Sequence, residues 1–128
     1  MKKALFIISV LLCTMLFSSC GENKEINVSE QHIQYGQRAL EIADQYIDYE
    51  ISASKAYEML ESLADREAEL PDISPSDKNR SGNSNVETYT FLLKCEISLS
   101  VNNPTDEKYS SIIKHRNAIA DAIGAERK

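Results

Sequence analysis

The chain has no tryptophan and only two histidines, His32 and His115. Neither histidine lies in a His-Glu-x-x-His or Glu-x-x-His context, and no Cys-x-x-Cys pair exists, so zinc and di-iron sites lack their usual ligand spacing. A Gly-x-Ser-x-Gly elbow is missing, which removes the local signature of serine hydrolases. Asp72, Asp77 and Gly82 do not have EF-hand spacing. No metal or cofactor is expected on these grounds, and no catalytic residue is singled out. Basic residues are also few: 14 Lys and Arg stand against 20 Asp and Glu. Phosphate backbones and anionic headgroups repel such a chain, which argues against nucleic acid as a partner. Long apolar runs are scarce too. The longest, Ala4 to Phe17, has 14 residues, short of the roughly 20 that cross a bilayer as a helix.

That run is preceded by Lys2 and Lys3 and followed by Ser18-Ser19-Cys20. A basic start, a short apolar stretch and small residues at a cut describe a secretory signal, and a cysteine directly after the cut adds lipid modification. Residues 1 to 20 resemble the bacterial lipoprotein signals cut by signal peptidase II, with Phe17 standing where leucine is usual. The resemblance implies removal of residues 1–19 and acyl chains on Cys20. Two or three chains give durable anchoring where one would be marginal, at about 0.8 kcal/mol per buried methylene. The expected location is a bacterial membrane, on the cell surface or periplasmic face.

Without its signal the chain keeps 12 basic and 20 acidic residues, a formal charge of −8. The remaining 109 residues suit a single domain. Cys13 leaves with the signal and Cys20 is acylated, so Cys95 is left alone, without a disulfide partner. Its apolar surroundings predict a small buried hydrophobe.

Residues 20–27 read as the lipidated cysteine and a polar tether reaching at most roughly 25 Å. The folded domain is expected over 28–124, as an all-α bundle of about four helices in two antiparallel hairpins, 28–50 with 53–70 and 86–101 with 104–123. Asn27 or Ser29 can cap the first helix, Asn27 with Glu30 having capping-box spacing. Ile33, Gly36, Leu40, Ala43 and Ile47 recur at helical steps. Ser52 caps the second helix, and Leu70 before Pro71 marks its end. Residues 71–85 hold nearly every turn-forming type and are expected to be a flexible loop.

The stretch 86–101 is ambiguous. Tyr89, Phe91, Leu93, Cys95, Ile97, Leu99 and Val101 alternate as in a half-buried strand, yet Leu92 breaks the pattern, and a lone strand has no partner in this chain. Helix is preferred and strand stays open. As a helix it is apolar around much of its circumference, which suggests burial or self-association. Asn103-Pro104 predicts the start of the last helix, with Asn103 as cap. Tyr109, Ile112, Ile113, Arg116, Ala120 and Ile123 form its stripe, Gly124 is its stop, and Arg127 and Lys128 are expected to fray. Ala39, Ala43, Tyr46, Ala56 and Leu60 loosely resemble one tetratricopeptide unit. Asp44 occupies its glycine position and no second copy recurs, so the likeness is read as ordinary helix-hairpin packing.

The remaining candidates are surfaces. Glu58, Glu61, Asp65 and Glu69 form a carboxylate stripe on the second helix, and Glu41, Asp44 and Asp48 repeat it on the first. The second-helix stripe is the candidate docking surface for a basic partner. Tyr35, Tyr46, Tyr49 and Tyr57 cluster around the first hairpin, where a ring that is apolar with a polar tip suits a core edge or an interface. The sequence is thus read as a membrane-anchored, non-catalytic protein-binding or scaffolding lipoprotein with an envelope protein as possible partner. A small-ligand or substrate-capturing lipoprotein is the alternative.

Overall fold

The computed structural model describes residues 25–128; the signal segment, Cys20 and most of the tether lie outside them. Four helices follow one another: α1 (Glu30–Ile47), α2 (Ala53–Asp65), α3 (Arg80–Ser100) and α4 (Asp106–Ile123), with a short 3-10 turn at Glu67–Glu69 after α2. They form the expected small all-α bundle of two hairpins. α3 and α4 make the most extensive pair, α1 touches all three others, and α2 packs against α1 and α3. Of the stretch 86–101, residues 86–100 are helical and Val101 caps the helix.

Ser29 rather than Asn27 caps α1, its hydroxyl accepting the His32 amide at 3.4 Å. The helix therefore begins two residues later than expected and ends at Ile47, before a turn in which Tyr49 takes a left-handed conformation (φ 60°). Ser52 caps α2 as expected. The α-helix stops at Asp65, short of Pro71, because the chain tightens into the 3-10 turn before Leu70 becomes extended. α3 starts at Arg80, so the loop is 71–79 and not 71–85. Asp77 accepts the Asn79 amide (2.9 Å) and leads the chain into the helix, whose first turns already bury Asn83 and Val86. Thr105, not Asn103, caps α4. The Asn103 carbonyl instead accepts the Lys108 ammonium (2.8 Å).

Leu60, Val86, Leu93, Ile97, Ile112 and Ile119 are fully buried at the centre, each side chain contributing about 1.5–3 kcal/mol relative to exposure. At Gly36 a Cβ would stand 3.1–3.3 Å from Ile123, Val86 and Ile119, so this position lets α1 approach α3 and α4 closely.

Two segments beyond the helices belong to the body. The segment Ile26–Ser29 is a strap: Val28 is buried, the Ser29 amide donates to Asn83 Oδ1 (2.9 Å), and a Cβ on Gly82 would lie 2.1 Å from the Asn27 carbonyl oxygen. At the other end, Gly124 closes α4 in the left-handed region (φ 72°). The chain then turns back along α1 and α4, and the predicted fraying of Lys128 is not seen. Asn117 exchanges two hydrogen bonds with the Lys128 backbone (2.8 and 2.9 Å), and the Lys128 ammonium pairs with Asp48. Those contacts replace water around the last residue with fixed partners.

Candidate functional site

The feature that sets this bundle apart is the outward face of α3. Its buried positions, Asn83, Val86, Thr90, Leu93, Ile97 and Ser100, follow steps of three and four, and three of them are polar. The opposite face carries Phe91, Cys95 and Leu99 at steps of four, with Thr88 and Leu92 beside them. Phe91 and Leu99 are each 58% exposed and Val101, just past the helix, 38%. A surface helix normally turns its apolar stripe to the core and its polar residues to water; α3 partly inverts this. Lys94 lies 5.9 Å from the Phe91 ring centroid, within reach of its negative face. Cys95, expected to be buried, is only half-buried on this outward face.

The predicted carboxylates Glu58, Glu61, Asp65 and Glu69 are all exposed, but the structure does not unite them. Glu58 stands 3.5 Å from Lys55 and borders a groove toward α1; Glu69 is in the 3-10 turn, 3.8 Å from Arg66. Glu61 accepts the Tyr57 hydroxyl at 3.0 Å. That hydrogen bond and the carboxylate's charge raise the Tyr57 pKa. Asp65 has no ion pair among the described residues. Asp44, on the α1 stripe, is a structural ion-pair partner: Arg116, with only 8% of its side chain exposed, grips both its oxygens at 2.9 Å. Of the four tyrosines, Tyr35 is buried with its hydroxyl on Glu67 (3.2 Å), and burial with that carboxylate pushes its pKa far up. Tyr49 is 85% exposed, its ring stacked 6.3 Å from that of Tyr109.

Both histidines are enclosed, His32 wholly and His115 in part. His32 is fully buried: the Ser29 hydroxyl is 2.7 Å from Nδ1, and Nε2 is 2.7 Å from Glu87. The carboxylate accepts, so Nε2 donates to it, while the serine hydroxyl can meet Nδ1 as donor or as acceptor. A hydroxyl, imidazole and carboxylate in series have the composition of a nucleophilic relay. Here the hydroxyl is committed to the helix cap and the ring has no exposed face for a substrate, so the chain of bonds locks the start of α1 to α3. His115 is half-buried beside Tyr89, its Nδ1 buried without a partner, and desolvation lowers its pKa despite the opposing Glu96.

Among the described residues no group of three His, Cys, Asp or Glu is placed to hold a metal ion, and no helix is long and apolar enough to cross a membrane. No family model, curated protein or solved structure matches the chain. Sequence reasoning named the apolar residues of α3 but not which of them face outward. It missed His32 as a buried link, whose one signal was its place four residues before Gly36 and seven before Ala39 on the core-facing stripe.

Proposed function

We propose that this protein is a lipid-anchored lipoprotein of a bacterial envelope, held by acyl chains on Cys20, that acts as a non-catalytic protein-binding or scaffolding module. Its partner is an envelope protein presenting an apolar helix face flanked by basic residues. The observation that carries the reading is the outward apolar face of α3. Phe91 and Leu99 leave more than half of their surface to water, whereas rings and aliphatic chains at the centre of a desolvated contact dominate binding energies. The acidic excess of the chain favours basic residues opposite. Anchoring supports the reading as well, since a tethered module meets membrane neighbours at raised effective concentration.

The test is in-cell crosslinking from a photoreactive residue placed at Phe91, Leu99 or, on exposed α1 surface, Gln37. One reproducible envelope protein should be captured from the two α3 positions, lost from both with Cys20→Ser and lost from Leu99 with Phe91→Ser. Equal capture from Gln37, or none from α3 in a folded, membrane-bound protein, would sink the proposal.

A further inference from the structure

We propose that the groove between α1 and α2 binds a small amphiphilic anion, an apolar body carrying a carboxylate or phosphate head. Two depressions, of about 420 and 350 Å³, share Arg38, Leu63 and Arg66 and so form one continuous groove. That size falls within the roughly 300–1,000 Å³ of small-molecule sites. Ile42 and Leu63, both buried, and half-buried Met59 make an apolar floor. Arg38 rises from α1 on one side, Lys55 from α2 and Arg66 from the residue just past its end on the other.

Charge favours an anion at this place. The groove lining has three cations against two carboxylates, Glu58 and Glu69, in a chain where acids outnumber bases. The cations also have hydrogen-bonding capacity to spare. Arg38 gives one bond to Glu41 (2.6 Å), while the Lys55 and Arg66 side chains donate none among the described residues, standing 3.5 and 3.8 Å from their carboxylates. All three pairs are more than half exposed, and such pairs contribute little, so an oxyanion displaces them readily. Two guanidinium groups on opposite walls suit the flat, bidentate recognition of carboxylate or phosphate. The floor then covers the apolar body.

The test is an NMR titration of the full-length chain carrying Cys20→Ser, reading the Arg38 and Arg66 Nε–Hε signals and the Met59 methyl. Octyl phosphate or octanoate, kept monomeric, should move all three saturably, and whichever binds tighter identifies the head. Inorganic phosphate alone should bind at least about tenfold more weakly, and Arg66→Gln should weaken octyl phosphate by about tenfold, as loss of one charge-assisted hydrogen bond implies. Phe91→Ser should leave the titration unchanged, which separates this site from the α3 face. Equal response to octyltrimethylammonium, phosphate binding as tightly as octyl phosphate, shifts confined to Phe91 and Leu99, or no saturable shift would each overturn the proposal.

Discussion

Arg116 shows how one residue joins distant parts of this chain. Its guanidinium grips Asp44 on α1 and also reaches the Glu126 carbonyl, while the adjacent Asn117 holds Lys128. Breaking a buried pair strands the remaining charge. Arg116→Ala is expected to lower the free energy of unfolding by about 3 kcal/mol, measured by urea denaturation. Asp44→Asn in the same background should cost little more, because both changes remove the same interaction. The signal was present in the sequence: Arg116 sits inside the Ile112, Ile113, Ala120, Ile123 stripe, where an arginine needs a partner. Which acid answers it was not legible, since Asp44 is 72 residues away. His115 makes a second case. Burial lowers its pKa below the ordinary 6.5, so the unfolded chain takes up a proton first as pH falls. Its contribution is therefore present above about pH 6.5 and lost progressively below it. Between about pH 7.5 and 5.5 the melting temperature of the wild type should fall further than that of His115→Gln; parallel curves would show that this ring does not report its burial.

At the scale of elements, the helices were legible because period-3.6 patterns and Ser52 and Gly124 carry local physics. α3 was harder for a reason the structure makes plain. With apolar residues on both its buried and outward faces, its pattern loses helical contrast and also fits alternation. The residues 80–85 misled in another way: Ser, Gly and Asn read as loop chemistry, but Gly82 is there so that the strap can lie against the helix. Gly82→Ala therefore sets two effects against each other. Alanine favours a helix interior by up to about 1 kcal/mol, while its Cβ would sit 2.1 Å from the Asn27 carbonyl and 2.6 Å from Val28. Backbone cannot yield as a side chain tip does, so the strap should detach. Hydrogen exchange is expected to show the Ser29 amide losing its protection while the amides of α3 from Leu93 to Ile97 keep theirs; retained protection at Ser29 would mean that the helix, not the strap, moves.

For the whole molecule, the proposed lipid anchor on Cys20 would make the strap decide how the bundle stands on a membrane. Antiparallel order puts the start of α1, the 71–79 loop, the start of α3 and Gly124 at one end, and the turns at 48–52 and 101–105 at the other. With acyl chains on Cys20 as proposed, residues 20–25 can span at most about 21 Å before the fixed strap begins. The strap end is then held near the bilayer, and the turn at 101–105 stands beyond it by about the length of α1, whose 18 residues rise 1.5 Å each to roughly 27 Å. The outward face of α3 runs along that direction, with Leu99 and Val101 toward the far end, which presents it sideways to neighbours in the same membrane. The orientation is open to measurement in vesicles containing a gadolinium-chelating lipid. Paramagnetic broadening should be strong at Ser76, in the loop, and weak at Asn102, in the far turn, and Gly82→Ala should narrow that difference by turning the strap into free tether. Equal broadening at the two positions in the wild type would mean that the bundle tumbles on its anchor and that the strap does not orient it.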